Sequence, residues 1–224
     1  MIKNYIKIAW RNLTRQKLFS LINISGLAIG LAVCMLIMLY VVHEHSYDRF
    51  HKNADRIVMP GMEYMNYASA PIIQQEQPTV KDYMRTLAYF SAVVVNEPSS
   101  PERKFSEDKL LFADPKFFDF FSFKLLSGSA ENVLNRPFTV VLSRDMAKKY
   151  FGNLDPIGKT IVIKTDSAYT YQITGVAENA PSNSSIAFNF VTSCQSLLAM
   201  MEPPWYGTTE QKMNYGYSSV YSLL

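Results

Sequence analysis

LFSLINISGLAIGLAVCMLIMLYVV, Leu18 to Val42, decides how the rest of the chain is read. These 25 residues contain no Asp, Glu, Lys, Arg or His. As an α-helix the run would be about 37 Å long, against a hydrocarbon core of roughly 30 Å, so it spans a bilayer with some tilt. Fourteen of its residues are Leu, Ile, Val or Phe, each favouring insertion by about 0.3–0.6 kcal/mol near the helix centre. A buried helix of a soluble protein seldom runs this far without a charge. A cleavable secretory signal has a shorter apolar run and a small-x-small site, whereas Tyr40-Val41-Val42-His43-Glu44-His45 follows here.

Charge is segregated around this run. Lys3, Lys7, Arg11, Arg15 and Lys17 precede it with no acid among them, and all 19 carboxylates lie from Glu44 onward. The net charge of +3 thus hides a basic end and a slightly acidic remainder. The positive-inside rule places the N-terminus in the cytoplasm and everything after His43 outside. In residues 1–17 the basic side chains recur every four residues, opposite Ile2, Ile6, Ala9 and Leu13. That pattern describes an amphipathic helix on the inner leaflet. Lys3, Lys7, Trp10, Arg11, Arg15 and Lys17 are its expected contacts with membrane lipid, and Tyr40 is the interfacial aromatic at the outer end. Inside the span, Asn23, Gly26, Gly30 and Cys34 fall close to one helical face, where small residues admit a second helix and the Asn can hydrogen-bond across.

The expected organisation is a basic amphipathic helix at 1–17, a transmembrane helix at 18–42, a juxtamembrane connector at 43–55 and an extracytoplasmic domain at 56–224. The connector contains neither Gly nor Pro, so it could continue helically. In the domain, strands are expected at Ile57-Val58, Ala88–Val95, Lys109–Ala113, Phe138–Leu142, Thr160–Lys164, Tyr169–Val176 and Ile186–Thr192. Helices are expected at about 70–77, after Asp114-Pro115 (Asp as N-cap, Pro at the first helical position), between Ser143 and Gly152, and near Gln195–Met201. The Phe-rich stretch Phe117–Phe123 reads as core. Strands and helices mix without a regular βαβ rhythm, so the class is α+β.

Chemistry is sparse. Cys34 and Cys194 are the only cysteines, too few for a disulfide framework. His43, His45 and His51 cluster at the membrane exit, and Met59, Met62 and Met65 share a regular spacing. Solvated juxtamembrane residues and packing methionines explain these better than metal ligation. Neither G-x-x-x-x-G-K-[ST] nor G-x-G-x-x-G occurs, so nucleotide binding has no motif here. No catalytic residue, metal or cofactor is assigned, and nucleic acid is not an expected partner.

KIAWRNLTRQKLFSLINISGLAIGLAVCMLIMLYVVHEHSYDRFHKNADRI (Lys7 to Ile57) resembles the N-terminal segment of bacterial FtsX-like, MacB-type ABC transporter permeases. The same family's periplasmic core domain is echoed by ADPKFFDFFSFKLLSGSAENVLNRPFTVVLSRDMAKKYFGNLDPIGKTIVI (Ala113 to Ile163) and by YQITGVAENAPSNSSIAFNFVTS (Tyr171 to Ser193). From Met59 to Gln77 the chain departs from the family pattern, beginning with Val58-Met59-Pro60 in place of an Arg-containing continuation. The resemblance implies a bacterial inner-membrane permease subunit with one helix before a large periplasmic domain and three helices after it. It also implies a cytoplasmic ATP-binding subunit and a second permease subunit as partners. ATP-driven motion would pass to the outer domain, which expels, extracts or activates a substrate. Since the later helices lie beyond Leu224, the chain is expected to be the N-terminal part of such a subunit, its core domain incomplete at the C-terminus. The alternative function is a single-span sensor or binding protein that transports nothing.

Overall fold

A computed structural model describes residues 2–59, 65–98, 102–200 and 217–224. Met62 of the regular Met spacing, Pro60 and Met201 lie outside them. The chain divides into two compact units, Met1–Tyr47 and Asp48–Leu224.

The first unit is two helices, α1 (Ile2–Arg15) and α2 (Lys17–His45). Gln16 separates them with φ −109° and ψ 60°, and no side chain caps the start of α2. The amide of Gln16 still donates to the Asn12 carbonyl, and that of Ser20 to the Gln16 carbonyl. Along α2 no residue is buried, and the helix is long and apolar enough to cross a membrane. The Ser25 hydroxyl donates to the Ile22 carbonyl at 3.0 Å, which satisfies one polar group within the apolar run.

The second unit is a mixed sheet with helices on both faces. Its elements are β1 (Ile57–Val58), β2 (Met65–Asn66), α3 (Ser69–Glu76), β3 (Asp82–Tyr89), β4 (Val93–Asn96), β5 (Lys104–Glu107), β6 (Leu110–Ala113), α4 (Phe117–Phe120), β7 (Leu125–Ser127), β8 (Thr139–Ser143), α5 (Arg144–Phe151), β9 (Thr160–Lys164), β10 (Ala168–Ala177), β11 (Phe190–Ser193), α6 (Cys194–Met200) and β12 (Tyr217–Leu223). The strand order is β1-β12-β3-β6-β11-β8-β10-β9-β4-β5, with β2 beside β12 and β7 beside β10. The β6–β11 and β8–β10 pairs are parallel and the others antiparallel. The α+β reading is borne out.

Central strands bury both faces, which explains their unbroken apolar runs. Leu110 and Phe112, Val140 and Leu142, and Phe190 point into one core with Tyr150 and Phe151 of α5. Leu111 and Ala113, Val141, and Val191 point into the other, filled by Phe117, Phe118, Phe120, Phe121 and Phe123. The rings of Phe117 and Phe123 stack at 5.4 Å, and Phe188 meets Phe123 edge-on at 5.1 Å.

Local signals hold where chemistry is local. Ser143 Oγ accepts from the Met146 amide at 3.4 Å, and Gly152 ends α5 at φ 61°. Gly128, at φ 96°, follows β7 where any Cβ would come within 2.7 Å of both the Thr174 carbonyl and Val133, a backbone position open to glycine alone.

Three expectations for the strands and helices of the second unit fail. The run Ala88–Val95 is not one strand: β3 ends at Tyr89 and β4 starts at Val93, paired with β5 and β9 far across the sheet. The expected strand Ile186–Thr192 is irregular as far as Asn189, and only Phe190–Ser193 joins the sheet. Asp114 does not cap α4, whose N-cap is Lys116; its carboxylate is taken by Arg85.

Candidate functional site

The first residues of the second unit, 48–56, form a strap that packs on the rest of that unit. Helix α2 stops at His45, where the amide and hydroxyl of Ser46 both donate to the His43 carbonyl, at 3.0 and 2.7 Å. A connector helical through Asp55 is therefore not what forms. Asp48 adopts φ 56°, which turns the chain sharply. Its amide donates to the Asn183 carbonyl at 3.0 Å. Its carboxylate accepts from the Ser185 amide at 2.9 Å, from Ser184 Oγ at 3.4 Å and from Ser185 Oγ. Asn183-Ser184-Ser185 thus serves as an anchor for Asp48.

Farther along, the Lys52 amide donates to Ser122 Oγ at 3.2 Å, and Ser122 is itself held at φ 55°. Asp48 on the strap and Ser122 on the segment that meets Lys52 are both left-handed non-glycine residues, a sparsely populated conformation held in place by the surrounding structure. Between them Phe50 and His51 dock on the phenylalanine cluster: His51 lies 4.1 Å from Phe50, 5.5 Å from Phe121 and 5.2 Å from Phe123, ring to ring. The His51 side chain is only 4% exposed. Burial lowers its proton affinity below the ordinary imidazole value, opposed by the Phe121 carbonyl and by Asp48. The strap's far end is fixed by Arg56, whose Nε donates to the Leu224 carbonyl at 2.7 Å, and by β1 pairing with the end of β12.

A second polar cluster stiffens the sheet. Arg85 of β3 donates through Nε to Asp114 Oδ2 at 2.8 Å and through Nη2 to Oδ1 at 3.0 Å. The Arg85 amide also donates to Asp114 Oδ2, and Nη1 reaches the Tyr67 carbonyl. The guanidinium lies 3.8 Å over the Tyr67 ring. Burial disfavours the charge, but the Asp114 hydrogen bonds and charge outweigh it and hold Arg85 firmly protonated. Burial and the Asp114 charge push the neighbouring Cys194 thiol up, so it stays an unreactive thiol at neutral pH. At the sheet's other end, Glu107 accepts from Tyr150 Oη at 2.6 Å and from Lys149 Nζ at 2.7 Å, tying β5 to α5.

None of this resembles a reaction centre. Among the described residues no group of three His, Cys, Asp or Glu gathers to hold a metal. A cleft beside the strap, of about 460 Å³, is lined by Lys52, Phe118, Asp119, Ser122, Phe123 and Lys124 among others.

The residues singled out in the helices fall as follows. Lys3, Lys7, Trp10, Arg11 and Arg15 are exposed on α1, and Lys17 opens α2. At about 100° per residue, Lys3, Lys7, Arg11 and Arg15 cover an arc of about 120°, with Trp10 beside Lys3 at its apolar border. Tyr40 is 65% exposed near the C-terminal end of α2. Asn23, Gly26, Gly30 and Cys34 span about 80° of α2, and nothing lies within 4 Å of a Cβ placed on either glycine. Sequence reasoning missed Arg85, Asp48 and Glu107, whose partners lie far along the chain; an arginine in the middle of an apolar strand was the one available signal.

Residues 20–217 match the family described as MacB-like periplasmic core domain. No curated protein matches the sequence. Among solved structures, a domain of a protein described as a permease, from Porphyromonas gingivalis, is 25% identical, with TM-score 0.59 over 78% of this chain and 77% of that one. The periplasmic region of MacB from Actinobacillus actinomycetemcomitans shares the fold at 16% identity and TM-score 0.51, covering 73% of this chain and 66% of that one. So does the extracellular domain of the noncanonic ABC-type transporter YknZ from Gram-positive bacteria, at 13% identity and TM-score 0.50, covering 75% and 81%. An extracytoplasmic domain fold behind one long apolar helix describes a membrane-anchored protein. The chain belongs to the MacB-like periplasmic core domain family.

Proposed function

We propose that the chain is the N-terminal part of a MacB/FtsX-type permease subunit, transmitting motion driven by a partner ATPase to its extracytoplasmic domain. In this reading α2 crosses the bacterial inner membrane with α1 on the cytoplasmic leaflet, its basic arc on lipid headgroups and Trp10 at their level. The domain boundaries are then α1, the span, the strap and the periplasmic body. The open Asn23, Gly26, Gly30 and Cys34 face receives another helix, from the same subunit or from a second permease subunit.

The observation that carries this reading is the strap. Transmission needs an outer body that moves as one piece, beginning with its first residues. Asp48 is fixed through four hydrogen bonds to residues 183–185, and Arg56 is fixed to the chain end. Behind the strap, the Arg85 and Glu107 clusters tie strands to one another and to helices.

Affinity purification of the full-length product from its native membrane, in mild detergent, tests the partnership. An ATP-binding subunit is expected to co-purify in stoichiometric amount. Its consistent absence would favour a membrane-anchored sensor that binds without transport.

A further inference from the structure

We propose that residues 48–53 form a pH-sensitive latch: neutral His51, seated among Phe50, Phe121 and Phe123, holds the strap closed, and protonated His51 releases it. The argument begins with the seat. Three aromatic rings enclose the imidazole at centroid distances of 4.1–5.5 Å, and its Nδ1 is buried with no hydrogen-bond partner. A neutral imidazole can present Nδ1 as a bare acceptor there at modest cost. The imidazolium must carry a proton on both nitrogens, and it would sit among three rings with only the Phe121 carbonyl and the already engaged Asp48 carboxylate to receive them.

Charges facing the ring are few. The strap contributes Asp48, whose Oδ1 lies 3.9 Å from His51 Nε2. That carboxylate is already engaged by Ser184, Ser185 and the Ser185 amide, so it cannot turn fully to the ring. The segment after α4 contributes two rings and the Phe121 carbonyl. Residues 183–186 contribute only the hydroxyls that hold Asp48. Other charges on these elements are Arg49, which is exposed, and Lys52, Asp119 and Lys124, which line the adjoining cleft. Burial is the largest influence on His51 and lowers its proton affinity; the Phe121 carbonyl and Asp48 oppose it with smaller effect.

The sign follows from linkage. The closed strap binds a proton less readily than the open one, so acid favours opening. Above the ordinary imidazole value of about 6.5 the strap is closed regardless of pH. Between that value and the lower one of the seated ring, the opening constant rises as pH falls, by at most about tenfold per pH unit, because no more than one proton is taken up on opening. Below the seated value it levels off.

Hydrogen exchange of the full chain in detergent micelles between pH 8 and pH 4.5, corrected for intrinsic rates, reads this constant at the amides of Asp48, Lys52 and Ala54, which are hydrogen-bonded to Asn183, Ser122 and His51. The expected result is flat protection well above pH 6.5 and a progressive loss below it, by at most about tenfold per unit, while the β8 and β11 amides hold their protection. His51→Phe, which keeps an aromatic ring, is expected to remove the pH dependence. A pH-independent strap in the wild type, or an unchanged slope in the variant, overturns the latch. Should His51→Phe fail to fold, NMR titration of the wild-type imidazole decides instead, and a His51 value at or above 6.5 overturns it. The outcome is independent of any ATPase, so it stands or falls apart from the transmission reading.

Discussion

Replacing Asp114 with alanine is expected to destabilise the extracytoplasmic unit by about 3–5 kcal/mol, because it strands a buried guanidinium. Arg85 and Asp114 expose only 12% and 10% of their side chains, and the carboxylate accepts three hydrogen bonds from Arg85 alone. The loss would also free Tyr67, whose ring covers the guanidinium, and loosen the junction of β3, β6 and α6. Urea unfolding of the detergent-solubilised chain, followed by near-UV circular dichroism of the aromatic core, measures the effect. The paired change Arg85→Met with Asp114→Leu separates the two possible causes. A stranded charge predicts that the double variant recovers most of the stability, since apolar residues of similar volume often replace a buried ion pair at little cost. If both variants are equally damaged, the hydrogen-bond geometry rather than the charge holds this junction.

In the first unit the largest effect is expected from Leu27→Arg combined with Leu31→Arg. Both residues lie in the middle stretch of α2 and are more than half exposed. Each arginine costs about 2.5–3.5 kcal/mol near the centre of a membrane helix, besides the lost leucine contribution. Two of them offset the roughly 4–8 kcal/mol that the 14 large apolar residues supply. The chain should then leave the carbonate-resistant membrane fraction, while Leu27→Ala with Leu31→Ala stays in it. The urea transition of the second unit should not move, because no residue of α2 is buried. A double-arginine chain that remained membrane-embedded would remove α2 from the role of anchor.

How much of this was legible in the sequence depends on how local each cause is. The uncharged run at 18–42 lies inside α2, since length and apolarity need no tertiary partner. Ser143 and Gly152 mark α5 for the same reason: a cap acts within one turn. The family, too, was readable from the quoted segments. By contrast, Ala88–Val95 looked like one strand because apolar content does not report which neighbour a residue pairs with. Leu87 and Ala88 pair with β6, while Val94 and Val95 pair with β9. Ile186 and Phe188 are buried as coil against the phenylalanine cluster, a position hydrophobicity cannot tell from a strand. Asp114 before a proline has the form of an N-cap, and only the arrival of Arg85 from 29 residues away removes it from that role. Asp48 was hidden likewise, its serine partners lying 136 and 137 residues downstream.

The central claim is that α2 crosses the bilayer and leaves α1 and the folded unit on opposite sides. Single cysteines at Lys3 and at exposed Ser167, each introduced with Cys34 changed to serine and the buried Cys194 retained, test it in intact cells with a membrane-impermeant maleimide. The account predicts labelling at position 167 in intact spheroplasts and at position 3 only after lysis. Equal labelling of both positions from the outside would contradict it.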